Sequence, residues 1–161
     1  MEAQKKIIRP IEQVPYYAQF EDVENIAAYI RGERALVDDP FWRQSGAATK
    51  QDYAYWANRA CGMVCVKTCV EAFGGECKPL HTWIERGLAV HAYLTEKRKN
   101  NTTIEKGWLH AGLADVMSAE GLETKVKASS IEDVLANLKS GNLVIASVSF
   151  EIGAALPITH Q

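Results

Sequence analysis

The spacing of apolar residues along the chain predicts six helices. Three of these segments end at glycines that fit helix C-termini, namely Gly32, the pair Gly74–Gly75 and Gly121. A fourth stops at Gly87. The predicted helices are Val23–Arg31, Thr49–Asn58, Cys61–Phe73, Leu80–Arg86, Trp108–Glu120 and a segment from Ser130 to Lys139, where Ser130 and Asp133 form a capping box.

Three other segments favour extended structure. Glu123–Ala128 alternates between polar and apolar residues, Asn142–Phe150 is almost continuously apolar, and Ile11–Tyr17 is an entry segment around Pro15. Helices followed by strands indicate an α+β fold with a small antiparallel sheet. A strand as apolar as Asn142–Phe150 needs a neighbour on each side. We therefore expect either self-association through an unpaired sheet edge or further strands beyond Gln161.

Length and composition fit one soluble domain spanning residues 1–161. The chain has 161 residues, 47% hydrophobic and 24% charged, with a formal net charge of −2. This charge favours neither nucleic acid nor a membrane as partner, and the basic run Lys97–Lys99 fits a solvated loop. Without a signal peptide or a spanning segment, we expect a cytoplasmic protein whose four cysteines stay reduced.

Cys61 is the candidate nucleophile because it opens the most apolar predicted helix. A thiol attacks as its thiolate, which the positive end of a helix and the free N–H groups of its first turn favour. We expect Gly62 to leave room for a substrate backbone and for an oxyanion hole. The alternative is that Cys61 is an inert buried thiol, as free cysteines often are.

Two short motifs resemble those of the bacteriocin-processing, or double-glycine, peptidases. They are the entry segment Val14–Gln19 and the Cys61–Gly62 pair that begins a central helix. The resemblance implies a papain-like cysteine peptidase fold and a Cys–His–Asp triad, with Cys61 as nucleophile. It also implies that the amide of Gln19 helps form the oxyanion hole. Gln19 is further from the cysteine than is usual in that family, so Gln51 and Asn58 remain alternatives.

His160 is the candidate general base, because it follows the last predicted strand as the histidine of that family does. The segment lacks the glycines and the following strand of the family, so the family's His and Asp are expected beyond Gln161 and the domain incomplete at its C-terminus. His81 and His110 are expected to be packing or surface residues, and His91 a loop residue.

Three functions agree with these residues: a peptidase acting on a peptide or protein through a thioester, another acyl-transfer enzyme such as an amidase, and a non-catalytic peptide-binding module. A zinc site is the main metal alternative, since Cys61, Cys65 and Cys69 are spaced by four, with Cys77 and His81 downstream. Small apolar cysteines in a buried helix explain this spacing more simply. We expect no metal and no cofactor.

Overall fold

A computed structural model describes residues 13–148 of the chain. This part is α+β, with six α-helices and a two-stranded antiparallel sheet. Residues 13–128 form one compact unit, and residues 129–148 belong to a second. The elements in order are α1 (Ile26–Ile30), α2 (Lys50–Ala57), α3 (Cys61–Ala72), α4 (Leu80–Ala89), β1 (Tyr93–Lys97), β2 (Thr103–Trp108), α5 (His110–Ala119) and α6 (Ile131–Lys139).

The predicted helix boundaries hold where a local signal sets them. Thr49 is the N-cap of α2, and its hydroxyl accepts a hydrogen bond from the backbone N–H of Asp52. Helix α3 ends just before Gly74, which adopts a left-handed φ of +85° that costs glycine little. These local interactions place Cys61 at the first position of α3, as predicted.

Helices α3, α4 and α5 pack against one another around a buried core. Met63, Val66 and Val70 of α3 are at most 1% exposed, as is Trp83 of α4. Leu113 of α5 is also buried here. Burying a large apolar side chain stabilises a fold by about 1.5–3 kcal/mol, so these contacts hold α3 firmly. The helix that carries Cys61 is therefore the centre of this packing.

A second cluster joins residues 20–47 to α2. Its buried members include aromatic side chains from both segments; they are Phe20, Tyr29, Leu36, Trp42, Ala47, Tyr53 and Ala57. The carboxylate of Asp39 is fully buried and accepts hydrogen bonds from the Tyr53 hydroxyl and from the backbone N–H groups of Phe41 and Asp22. Three donors offset much of the cost of burying this charge. The carboxylate thus fixes the loop to α2.

The hairpin formed by β1 and β2 was not predicted. The strands pair from Tyr93 opposite Trp108 to Lys97 opposite Thr103, with a bulge between Leu94 and Thr95. Trp108, which was predicted to begin a helix, is the last residue of β2, and α5 begins two residues later at His110. Most hairpin side chains are exposed, which explains why no strong apolar alternation marks it.

The predicted strands are wrong within the described residues. Residues 123–128 and 142–148 contain no strand. The entry segment was predicted as a strand or an extended segment, and its residues 13–17 form no strand. Residues 11–12 of the entry segment and residues 149–150 of the last predicted strand lie outside the described part. Gly87 does not end a helix either, because α4 continues to Ala89. The apolar strand on which we based self-association is therefore not formed over residues 142–148.

The second unit contains α6, which begins with the predicted capping box. The Ser130 hydroxyl accepts from the backbone N–H of Asp133, and the Asp133 carboxylate accepts from the backbone N–H of Ser130. No residue of α6 is buried. Local capping, which does not depend on distant contacts, is why this helix could be predicted from sequence.

Candidate functional site

Cys61 is exposed at the first position of α3. The N-cap, Ala60, makes no side-chain hydrogen bond, and the first backbone bond of the helix runs from Val64 N–H to the Ala60 carbonyl. The N–H groups of Cys61 to Met63 precede that bond, so they have no partner within the helix. This arrangement gives positive potential beside the sulfur. The alternative interpretation is wrong in one respect, since Cys61 is not buried.

The next two cysteines of α3 differ from Cys61 because they are less accessible. Burial raises the pKa of Cys69 to about 11, with a further contribution from Cys65. Burial also raises the pKa of Cys65 above its usual value. Both side chains therefore remain neutral thiols at physiological pH, and Cys69 is a small buried residue of the core. Among the cysteines of α3, Cys61 is the most exposed.

Gly62 has a packing role that sequence reasoning missed. A Cβ atom at this position would lie 2.8 Å from Trp108 Cβ, 2.9 Å from Trp108 Cγ and 3.1 Å from Leu113 Cδ2. Gly62 is buried. The absent side chain therefore makes room for the indole of Trp108, not for a substrate backbone as we expected. This contact joins β2 and α5 to the end of α3 that carries Cys61.

Trp108 belongs to an aromatic cluster with Tyr93 and Trp56. The Tyr93 ring lies 4.8 Å from Trp108 and 5.3 Å from Trp56, both edge to face. The indole N–H of Trp108 donates to the Arg59 carbonyl. Burial and the charge of Glu105 raise the pKa of Tyr93, and the charge of Cys61 adds to the effect. The sulfur of Cys61 is therefore within electrostatic reach of the cluster.

A polar network continues from the cluster towards the hairpin. The Glu105 carboxylate accepts from the Tyr55 hydroxyl at 2.6 Å and from Arg59 Nε at 2.7 Å. Both bonds lower the pKa of Glu105, so it stays charged. The Arg59 guanidinium also lies over the Tyr55 ring at 4.1 Å. These groups border an open depression lined by Tyr55, Arg59, Thr95, Arg98, Thr102, Thr103, Ile104 and Glu105.

The candidate oxyanion-hole amides lie in different places. Gln19 is half-buried, and its Oε1 is buried without a hydrogen-bond partner in the described part of the chain. Gln51 is exposed in the first turn of α2, and Asn58 is exposed at the C-cap of that helix, three residues before Cys61. The Gln19 side-chain oxygen therefore makes no hydrogen bond with Cys61. The oxyanion role of Gln19 stays a prediction.

Two of the described histidines lie in α4 or directly after it. His81 is buried in α4, and its Nε2 lies 2.8 Å from the Asp52 carboxylate, at the opposite end of α2 from Cys61. His91 is an exposed residue with a positive φ of 55° after α4. The predicted base, His160, lies outside the described residues. The pairing of His160 with Cys61 stays a prediction.

His110 is exposed, in agreement with its prediction as a packing or surface residue. It is the first residue of α5, and it lies between Trp108 and Leu113 in the chain, which both pack on Gly62. The structure therefore places His110 at the same end of α3 as Cys61. The sequence alone does not show which helix end this segment meets, because the packing on Gly62 decides it.

The other predictions concern metals, nucleic acid and membranes. No group of three or more histidine, cysteine or acidic side chains in residues 13–148 could hold a metal ion. The basic run Lys97–Lys99 lies at the exposed end of the hairpin, as a solvated loop. No helix in this part of the chain is both long and apolar enough to span a bilayer.

No protein-family model matches the chain, and no curated protein or solved structure is significantly similar to it.

Proposed function

We propose that the protein is a cysteine peptidase of the papain-like type, in which Cys61 forms a thioester with a peptide substrate. The observation that carries the proposal is the placement of an exposed thiol at the uncapped N-terminus of a rigidly packed helix. The depression bordered by Tyr55, Arg59 and Glu105 supplies hydrogen-bonding groups for an extended peptide. We place the protein in the cytoplasm, where its thiols stay reduced.

The reaction follows from nucleophilic catalysis by sulfur. A base takes the Cys61 proton, and the thiolate attacks the scissile carbonyl to give a tetrahedral oxyanion beside the first N–H groups of α3. The C–N bond then breaks, and the protonated base gives its proton to the departing amine. Water hydrolyses the thioester by the same steps and regenerates the thiol. The uncapped amides therefore serve both the thiolate and the oxyanion.

Two histidines are candidates for the base. The resemblance to double-glycine peptidases supports His160, while the packing of its neighbours on Gly62 supports His110. His81 is a poor candidate because Asp52 holds it at the other end of α2. Replacing His110 and His160 separately by Ala distinguishes them, since removing a general base lowers kcat by on the order of 10²–10⁴-fold. Gln19→Ala tests the oxyanion role in the same assay.

The test uses the full chain and a mixed synthetic peptide library, with products read by mass spectrometry. We expect cleavage, a trapped acyl group on Cys61, and loss of cleavage in Cys61→Ala. Cys77→Ser is the matched control, because Cys77 is also exposed but lies after α3. Cleavage that persists in Cys61→Ala, or cleavage lost equally in Cys77→Ser, would contradict the proposal. Transfer products in place of hydrolysis would identify an amidase or transpeptidase.

Alkylation by iodoacetamide provides a second test that needs no substrate. The rate at Cys61 is compared with that of a synthetic peptide of residues 57–63, which contains the same thiol without the folded helix. We expect the folded protein to react about tenfold faster at pH 7, because the helix terminus favours the thiolate. Equal rates would show that α3 does not activate the sulfur.

A non-catalytic peptide-binding module is the second candidate. The specific observation in its favour is that His81, the one buried histidine of residues 13–148, is paired with Asp52 away from Cys61. Binding without cleavage in the peptide-library experiment, unchanged in Cys61→Ala, would identify this function. The Arg59 and Glu105 side chains would then carry recognition, and their replacement would weaken binding.

A further inference from the structure

A second group of reactive side chains lies at the other end of α3. Cys77 is exposed in the loop between α3 and α4. Its Sγ accepts a hydrogen bond at 3.6 Å from Nζ of Lys67, a side chain that is only 8% exposed. Lysine is almost never buried without a partner, so a buried ammonium in contact with an exposed cysteine is an uncommon arrangement.

The three N–H bonds of the Lys67 ammonium have three different partners. One goes to the Glu71 carboxylate, one to the Lys78 carbonyl at 2.7 Å and one to Cys77 Sγ. The ammonium also lies 4.0 Å from the centre of the Tyr17 ring. With its position fixed by these contacts, Nζ cannot turn away from the sulfur without losing a bond. The positive charge is therefore held beside Cys77.

Glu71 and Tyr17 complete the group. Burial opposes ionisation of Glu71, but hydrogen bonds from Lys67 and Tyr17, the charge of Lys67 and a hydrogen bond from the Cys77 thiol outweigh it and lower the pKa of its carboxyl group. The hydrogen bond to Glu71, followed by burial, raises the pKa of the Tyr17 hydroxyl, so it stays protonated; Cys77 adds to this shift. Tyr17 is thus a hydrogen-bond donor and Glu71 an anion. Cys77 is the one accessible nucleophile among these four residues.

We propose that Cys77 is an oxidation site at which peroxide forms a sulfenic acid held by Lys67. The thiol gives up its proton, the Sγ thiolate attacks one oxygen of hydrogen peroxide, an S–O bond forms and the O–O bond breaks. The departing hydroxide takes the thiol proton and leaves as water, so Cys–SH and H₂O₂ give Cys–SOH and H₂O. The fixed ammonium stabilises the thiolate before attack and then donates to the oxygen of the sulfenic acid.

This site is independent of the proposed peptidase function. Cys77 lies in the loop after the C-terminal end of α3, whereas Cys61 is its first residue. Cys65 and Cys69 have raised pKa values through burial and serve as internal references that react slowly. Mass spectrometry assigns each modified cysteine separately. Failure of one proposal therefore leaves the result for the other unchanged.

The test exposes the full chain to hydrogen peroxide with dimedone, which labels sulfenic acids, and measures the rate at Cys77 by mass spectrometry. The reference is a synthetic peptide of residues 74–80, which contains Cys77 and its neighbours without Lys67. We expect the protein to be labelled about tenfold faster than the peptide. Equal rates would overturn the proposal, and this comparison does not depend on the folding of any variant.

Substitutions then separate the Lys67 contact from the general field of nearby charges. Lys67→Met should reduce labelling of Cys77 to about the rate of the free peptide. Lys78→Met is the matched control: it removes a charge from the residue next to Cys77 whose ammonium contacts Glu76 and Glu120. We expect it to keep the wild-type rate. An equal loss in both variants would contradict a specific role for Lys67.

Discussion

Replacing Gly62 by Ala tests whether Trp108 anchors the N-terminal end of α3. The new methyl group would lie 2.8–2.9 Å from Trp108 Cβ and Cγ and 3.1 Å from Leu113 Cδ2. Carbon atoms at optimal contact are about 3.5–4.0 Å apart, so the neighbours must move by several tenths of an ångström. Trp108 is restrained by its hydrogen bond to the Arg59 carbonyl, so rotation of the indole would break that bond.

The magnitude follows from two opposing effects. Overpacking a core usually costs about 1–3 kcal/mol, while Ala is better than Gly in a helix by at most about 1 kcal/mol. We therefore expect Gly62→Ala to lower the free energy of unfolding by about 1–2 kcal/mol. For a chain of this size that corresponds to a fall in Tm of about 2–8 °C.

The assay is urea denaturation followed by circular dichroism, together with the double variant Gly62→Ala/Leu113→Ala. In the Leu113→Ala background the new methyl group meets one neighbour fewer, so its cost should be smaller. A Gly62→Ala protein as stable as the wild type would refute the packing role. If it also lost peptide cleavage, the role in substrate access that we first expected would regain support.

Three further predictions concern stability elsewhere in the fold. Burial, with the charge of Asp39, raises the pKa of Glu21 above its usual 4.5. The folded state therefore holds the Glu21 proton at pH values where the unfolded state has lost it, so the free energy of unfolding should fall as pH rises above 4.5. Glu21→Gln should remove this slope from a plot of Tm against pH. Ser130→Ala should lower the stability of α6 by about 0.5–2 kcal/mol by removing the capping box, seen as faster amide exchange in Ile131–Lys139. Val66→Ala, at a fully buried position, should cost about 1–3 kcal/mol in urea denaturation, whereas Val64→Ala at a half-buried position of the same helix should cost less.

Local signals made most helices predictable. The Thr49 and Ser130 caps and the glycine after α3 act within a few residues, so the sequence contains all the information needed to place these ends. The same holds for Cys61, whose place at a helix start was predicted correctly. Its exposure was not settled by the sequence, because the helix is apolar on most sides.

The errors arose where contacts distant in sequence decide the structure. Gly87 looked like a helix stop, but a Cβ atom there would lie 2.6 Å from the Trp108 ring. The glycine therefore makes room for this ring within α4. Trp108 itself was placed in a helix, although pairing with Tyr93 makes it the end of β2. The apolar pattern of residues 142–148 is equally compatible with irregular structure.

Of the candidate site, only the position of the nucleophile, Cys61, could be predicted from the sequence. The Arg59–Glu105 pair joins residues 46 positions apart, and no local sequence pattern predicts it. The same applies to the contact of Lys67 with Cys77, which needs the loop after α3 to fold back on the helix. Side-chain chemistry suggested which residues could react, whereas the packing decided which partners they meet.

The position of Trp108 between two glycines has a mechanical consequence. Its indole fills the space left by Gly62 on α3 and Gly87 on α4, while its backbone is part of the hairpin that borders the depression. The hairpin therefore cannot swing outward as a free flap, because the movement would pull a large ring from its slot and open a void in the core. Any ligand that displaces the hairpin must also strain the start of α3, and the strain would shift the position of the Cys61 sulfur.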